Sequence, residues 1–159
     1  MATATTSAVD HRRIAAELFN EVWRLLDLPE RSGEQELEMV HAAHASRHHW
    51  GVAGDARNHA IGEWQLSRVY ATLRRPEPAR YHAEQALRLA REHDLGAFLT
   101  ACAHEALARA AMMAGDPAAF DAEVAAAEAA GAGIADEEER QVWRSDMDQL
   151  VRPDAVPAA

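Results

Sequence analysis

LSRVYATLRRPEPARYHAEQALRL (residues 66–89) is the stretch that decides the fold, because its pattern returns later in the chain at a fixed offset of 41. The matches are Leu66 with Leu107, Arg68 with Arg109, and Pro76 with Pro117. Three positions keep their residue type over three successive units: Ala15, Ala56 and Ala97; Leu25, Leu66 and Leu107; Ala45, Ala86 and Ala127. A period of about 20–50 residues is typical of stacked helical units. The sequence therefore predicts an all-α helical-repeat protein.

Proline, glycine and capping residues lie at the ends of seven predicted helices. Pro76 and Pro117 suit the first turn of a helix, where proline's missing N–H leaves no hydrogen bond unmade. Asp116 and Asp136 suit N-cap positions. β-Branched residues are sparse and do not alternate, so no strand is predicted. The predicted helices are 10–28, 34–50, 56–74, 77–93, 97–114, 117–130 and 136–151. The glycines expected to end helices in the left-handed conformation are Gly33, Gly54, Gly115 and Gly131.

The second and third units resemble the tetratricopeptide repeat (TPR) family. The matching residues of the second unit are Leu66, Ser67, Tyr70, Ala79, Ala83, Ala86 and Leu89. Those of the third unit are Leu107, Ala108, Gly115, Asp116, Phe120, Val124 and Ala127. The TPR period is about 34 residues, so a 41-residue period implies longer helices or loops. HEAT and armadillo repeats have periods near 41 and remain an alternative.

The resemblance implies a single TPR-like solenoid of antiparallel helix pairs over residues 9–152. Its units would be 14–54, 55–95 and 96–136, and a C-terminal capping helix would follow over 136–151. Trp143, Met147, Leu150 and Val151 would form the apolar stripe of this cap. Residues 1–8 and 153–159 are expected to be flexible.

Composition and charge exclude several classes of function. The 159 residues include 26 acidic and 16 basic side chains, and the net charge is −10. All the basic residues are arginine. Nucleic acids and acidic membrane surfaces would repel such a chain on average, so neither is an expected partner. Cys102 is the single cysteine, and no signal sequence or membrane-spanning stretch is evident, which favours a cytoplasmic location.

By the TPR resemblance, the first helix of each unit would line a concave groove. The groove candidates are Trp23, Trp64, Arg68, Glu105 and Arg109. Tryptophan and arginine dominate binding hot spots, and arginine binds carboxylates through two parallel hydrogen bonds. A protein or peptide that presents a carboxylate to Arg68 or Arg109 is therefore the expected partner. The alternative is that these arginines pair with Glu63, Glu105 or other neighbours within the chain.

Histidine is abundant, and the histidines are clustered. Five of the nine lie within residues 41–59. His48, Glu63 and His104 occupy positions that the TPR pattern gives to apolar residues, so each needs a polar partner if it is buried. The same side chains suggest a transition-metal site, for zinc or a similar ion. Its ligands would be His44, His48 and Glu63, completed by His41 or His104. Structural or surface histidines are the alternative.

Three functions follow from these features. The favoured one is a non-enzymatic binding module for a protein or peptide, with no cofactor. The second is a metal- or histidine-dependent enzyme whose pocket is built around residues 41–63 and His104. The third is a structural subunit that associates with copies of itself, since a solenoid can complete its core by homo-oligomerisation.

Overall fold

The computed structural model describes residues 9–154, which form seven α-helices and no strand. The helices are α1 (His11–Leu26), α2 (Gly33–Ala53), α3 (Ala56–Thr72), α4 (Pro76–Glu92), α5 (Ala97–Ala114), α6 (Pro117–Gly131) and α7 (Glu137–Met147). The all-α prediction is confirmed, and every helix end lies within four residues of its predicted position. The predicted flexible segments, 1–8 and most of 153–159, lie outside the described residues.

Short polar side chains begin most of the helices. Ser32 and Asp55 each accept a hydrogen bond from a backbone N–H three residues ahead, and a Gln or Asn at that position returns one. Asp116 and Asp136 cap α6 and α7 by accepting from the backbone in the same way, as predicted. Such caps satisfy N–H groups that have no partner inside the helix. Pro76 is the first residue of α4, a position that needs no N–H donor.

Of the four glycines expected to be left-handed, only Gly115 is. Its φ is 66°, and Arg74, which lies 41 residues earlier, has the same conformation with φ 56°. The prediction was wrong for Gly33, which is the first residue of α2, and for Gly54, which is extended. It was also wrong for Gly131, which ends α6 in contact with Trp143.

Neighbouring helices pack as antiparallel pairs. Ala71 near the end of α3 packs against Ala79 near the start of α4, and Ala60 near the start of α3 lies in a cluster with Leu89 near the end of α4. Helices α1 and α2, and α5 and α6, also pack closely. In addition α1, α3, α5 and α7 contact one another in that order. Because alanine occupies many of these crossings, the helices approach closely.

The three leucines that recur every 41 residues all lie in the core. Leu25, Leu66 and Leu107 are all buried, the first two in one cluster between α1, α2 and α3 and the third in a cluster between α4 and α5. Helix α5 is buried on nearly every side, from Leu99 to Ala111. This explains why its sequence lacks an amphipathic period. Within residues 9–154, no helix is both long enough and apolar enough to cross a membrane.

Helix α7 is shorter than predicted and packs against both α5 and α6. Trp143 and Met147 are buried in a cluster with Cys102 of α5 and Ala127 of α6. The expected stripe is wrong at its last member, because the helix ends at Met147 and Val151 is exposed.

Candidate functional site

A row of large aromatic and charged side chains crosses α1, α3, α5 and α7 on one face of the molecule. We call it the inner row. Trp23, Trp64, Glu105 and Asp146 succeed one another along the chain in the 41-residue register, and Arg68 and Arg109 lie one helical turn after Trp64 and Glu105. The inner row brings together all five predicted groove residues and adds Asp146.

The N-terminal half of the inner row is aromatic. The rings of Trp23 and Trp64 are 5.5 Å apart, and the ring of Phe19 lies 6.2 Å from Trp23. Both tryptophans are half-buried. The guanidinium carbon of Arg68 lies 5.6 Å from the centre of the Trp64 ring, which is cation–π distance. This half therefore combines two tilted, half-buried indole rings with a cation at its border.

The C-terminal half of the inner row is a network of two cations and two anions. Arg109 donates from Nε to Oε1 of Glu105 at 2.8 Å and from Nη2 to the backbone carbonyl of Asp146 at 3.1 Å. Arg68 Nη2 lies 2.9 Å from Oδ2 of Asp146 and 3.6 Å from Oε2 of Glu105. The formal charges of the four side chains therefore cancel. Both predicted arginines are paired within the chain, which is the alternative that the sequence left open.

Burial sets the electrostatics of this half. The side chain of Glu105 is 1% exposed, and those of Arg68 and Arg109 are 13% and 12% exposed. Burial raises the pKa of Glu105, and the two arginines oppose that shift. Burial also raises the pKa of Cys102, one turn earlier on α5, which keeps its thiol protonated and unreactive.

Helix α7 covers the charged half and contributes Trp143 and Met147 to a core cluster against which Trp64 packs. Besides packing on α5, α7 reaches α3 near both of its ends: Glu139 lies 3.6 Å from Arg57, and Asp146 pairs with Arg68. The side chain of Asp146 is only 16% exposed. Trp23 and Trp64 are each half-buried, and Trp64 packs against the core clusters that contain Leu107 and Trp143.

No family model, curated protein or solved structure matches this chain.

Two His–Glu pairs occupy equivalent places in successive helix pairs, with the residue types exchanged. Nδ1 of His82 on α4 lies 2.7 Å from Oε2 of Glu63 on α3, and Nδ1 of His104 on α5 lies 2.6 Å from Oε2 of Glu123 on α6. The 41-residue register relates Glu63 to His104, and His82 to Glu123. Glu63 and His104, two of the three polar residues at positions predicted to be apolar, thus each have a hydrogen-bond partner on the neighbouring helix of the same pair.

The surroundings of His104 fix the position of its proton. Its Nε2 lies 3.3 Å from Nη2 of Arg91, and a guanidinium can only donate. Nε2 therefore accepts, and Nδ1 carries the proton that is donated to Glu123. Both ring nitrogens are occupied in this arrangement.

The five metal-ligand candidates do not converge on one point. Nε2 of His44 lies 2.8 Å from the Tyr70 hydroxyl, and the ring of His48 lies beside that of His49. Glu63 uses one oxygen for Arg47 and the other for His82. His41 is exposed on α2, and His104 is paired with Glu123 as described. Among residues 9–154, no set of three or more His, Cys, Asp or Glu side chains is grouped so that it could hold a metal ion.

Sequence reasoning missed Asp146, His82 and Glu123, although the register contained a signal for each. Asp146 is the register equivalent of Glu105, and Glu123 is that of His82. Extending the register to α7 and to the second helix of each pair would have identified all three.

The interactions of Glu63 with Arg47 and His82 predict how the free energy of unfolding depends on pH. Burial alone would raise the pKa of Glu63, but His82 and Arg47 outweigh it and hold the pKa below its ordinary value of 4.5. The ionised carboxylate therefore stabilises the fold above that value, and the stabilisation is lost as the pH falls through the lower, folded-state pKa. We expect Glu63→Gln to lower the free energy of unfolding by about 1–3 kcal/mol at pH 7. In urea unfolding at a series of pH values, this difference should shrink below about pH 4.5. A difference that stays constant with pH would contradict the assignment.

Proposed function

We propose that this protein is a non-enzymatic, TPR-like module that binds a peptide segment along the inner row. The observation that carries the proposal is the continuous series Trp23, Trp64 and Arg68, which combines partly exposed aromatic surface with a cation. Aromatic and arginine side chains of this kind dominate the binding energy of protein interfaces.

Three features support a TPR-like solenoid of antiparallel helix pairs with α7 as its cap. The buried leucines recur at one offset. Arg74 and Gly115 share the left-handed conformation at equivalent helix ends. The His–Glu pairs recur between equivalent helices with their residue types exchanged. Each feature relates the α3–α4 pair to the α5–α6 pair, as expected for repeats of one structural unit.

The ligand that suits this surface has an apolar side chain beside a carboxylate. The apolar group would lie on the two indole rings, and the carboxylate would compete with Asp146 for Arg68. The indole N–H of Trp64 is buried and has no acceptor within residues 9–154. No catalytic step is needed to account for this arrangement.

A peptide selection tests the proposal. Random peptides that end in a free carboxylate would be selected on the immobilised protein, and the enriched sequences would be measured against variants by fluorescence anisotropy. We expect Trp64→Leu and Trp23→Leu each to weaken binding about 30-fold, which corresponds to roughly 2 kcal/mol at a hot spot. Amidation of the peptide terminus should weaken binding in the wild type.

Trp50 provides a matched control, because it is also half-buried but lies under Arg12 at the end of α2, away from the inner row. Trp50→Leu should leave the affinity unchanged. Equal losses from Trp50→Leu and Trp64→Leu, or a selection that enriches no peptide, would refute binding at the inner row.

A further inference from the structure

A cleft of about 550 Å³ lies on another face of the molecule, between α4 and α6 and above α5. Its floor is apolar and is formed by Leu107, Ala110, Ala111 and Ala114 of α5. One wall is α4 from Pro76 to Leu87, a length of about 16 Å at 1.5 Å per residue. The volume falls within the range of about 300–1,000 Å³ that is typical of ligand sites.

The preceding helix pair shows why the cleft exists. In the 41-residue register, Ala110, Ala111 and Ala114 are equivalent to three residues of α3, which are Val69, Tyr70 and Leu73. These larger side chains pack against the core cluster that contains Met39, Ala42 and Ala43 of α2. The space over α3 is therefore filled by the chain's own side chains. Over α5, alanine takes the place of all three, and the equivalent space is open.

The filled site also shows what kind of group suits the open one. Over α3, the Tyr70 ring stacks on His82 with their planes 2° apart. The residue equivalent to His82 is Glu123, which lines the cleft. The open site thus lacks the larger side chains that Tyr70 and Leu73 provide over α3, and a carboxylate has replaced the imidazole at its wall.

The rim of the cleft carries four carboxylates and one guanidinium. Glu77 and Glu84 lie on α4, seven residues apart, and the same spacing separates Asp116, the N-cap of α6, from Glu123. Asp116 also accepts from the backbone N–H of Ala119, and one oxygen of Glu123 accepts from His104. Seven residues correspond to two helical turns, or about 10.5 Å. Arg80, the one cation, lies 3.8 Å from Glu84. Each wall therefore presents negative charge at heptad spacing along an apolar floor.

We propose that this cleft binds a basic amphipathic helix of a partner protein. The apolar face of the partner helix would supply the side chains that Ala110, Ala111 and Ala114 lack. Its lysines or arginines, seven residues apart on each flank, would pair with the carboxylates of the two walls. Charge complementarity of this kind sets specificity and association rate, and amphipathic helices bind grooves through apolar residues at such intervals.

The site is separate from the inner row, and the two proposals stand or fall independently. The inner row uses side chains of α1, α3, α5 and α7, whereas the cleft lies between α4 and α6. Trp23→Leu should therefore weaken peptide binding at the inner row and leave helix binding at the cleft unchanged, since Trp23 does not line the cleft.

The test uses three synthetic helices that share one apolar face of leucine and phenylalanine. Each is long enough to lie along the full length of the cleft. The first carries lysine at heptad spacing on both flanks, the second carries glutamate at those positions, and the third keeps the lysines but has serine in place of the apolar residues. Affinity for the full-length protein would be measured by fluorescence anisotropy at low and high salt. We expect the first helix to bind at least ten times more tightly than either of the others, and more weakly at high salt.

Two variants test whether the helix binds in the cleft, by introducing on α5 the side chains that α3 carries at the equivalent positions. Ala111→Tyr and Ala114→Leu should fill the cleft and weaken binding of the lysine helix at least tenfold. Ala114 is exposed and tolerates the larger residue most readily. If Ala111→Tyr does not fold, Ala114→Leu alone therefore tests whether the lysine helix binds in the cleft. The double variant Glu77→Gln with Glu84→Gln should weaken binding severalfold and reduce its salt dependence.

Several outcomes would overturn the proposal. One is equal binding of the lysine and glutamate helices, and another is an affinity that Ala114→Leu leaves unchanged. A third is no binding of the lysine helix at millimolar concentration. If the protein alone forms dimers in sedimentation experiments and Ala114→Leu dissociates them, the occupant is a second copy of this chain instead.

Discussion

Glu105→Gln is expected to lower the free energy of unfolding by about 3 kcal/mol or more. Glu105 is completely buried, and it lies between Arg109 and Arg68. Without its charge, two nearly buried guanidinium groups share the single carboxylate of Asp146, and the desolvation of one cation is left without compensation. For a chain of this size the loss corresponds to a fall of about 6–12 °C in Tm. Urea unfolding followed by circular dichroism measures it.

Arg88 and Glu92 provide the matched control for this prediction. They form an ion pair four residues apart on one helix, as Glu105 and Arg109 do, but both side chains are about half exposed. Glu92→Gln should therefore change the stability by less than about 0.5 kcal/mol. If Glu105→Gln costs no more than Glu92→Gln, the network contributes nothing measurable to the fold.

A second variant separates the stability of the network from the penalty of leaving one charge unpaired. Glu105→Leu combined with Arg109→Met removes an anion and a cation together and leaves Arg68 paired with Asp146. Apolar replacement of a whole buried pair is often neutral or stabilising, so the double variant should be more stable than Glu105→Gln alone. A double variant that is less stable than Glu105→Gln would indicate that the hydrogen bonds of the pair, and not its charge balance, stabilise α7 against α5.

The helix ends were predictable because they depend on local chemistry. Asp116 and Pro117 specify the start of α6 without reference to any other part of the chain. Prediction from residue type fails at Arg74, because an arginine side chain does not favour the left-handed conformation that this residue shares with Gly115. Its conformation belongs to the hydrogen bonds that close α3, in which the N–H of Arg75 donates to the carbonyl of Tyr70 and that of Arg74 donates to the carbonyl of Ala71.

The partners of the site residues were harder to predict than the residues themselves. Arg68 and Arg109 were identified by position, but their pairing with Asp146 depends on how α7 lies across α5 and α3. Likewise, Glu63 was identified as a polar residue in an apolar position, but not as the common partner of Arg47 and His82. Long-range placement of this kind follows from packing, which a local pattern does not encode.

Gly131→Ala is expected to destabilise the protein by several kcal/mol, although alanine is the better helix former. Helix propensity alone favours alanine over glycine by about 1 kcal/mol. A Cβ atom at position 131, however, would overlap three atoms of the Trp143 ring. The ring is 1% exposed and anchors α7, so it can yield only by leaving its place in the core. Displacing a buried tryptophan costs about 3–5 kcal/mol, which outweighs the gain in propensity.

Gly51→Ala is the matched control, because Gly51 also lies within a helix but a Cβ there would meet only the end of the Arg47 side chain, at 3.4 Å. It should stabilise the protein by up to about 1 kcal/mol. The two variants thus make the same chemical change with opposite expected signs, and thermal unfolding measures both. The near-ultraviolet circular dichroism of Gly131→Ala should also lose the contribution of the ordered Trp143 ring, whereas that of Gly51→Ala should match the wild type. If Gly131→Ala were instead as stabilising as Gly51→Ala, the packing of Trp143 against α6 would be wrong, and with it the placement of Asp146 beside Arg68.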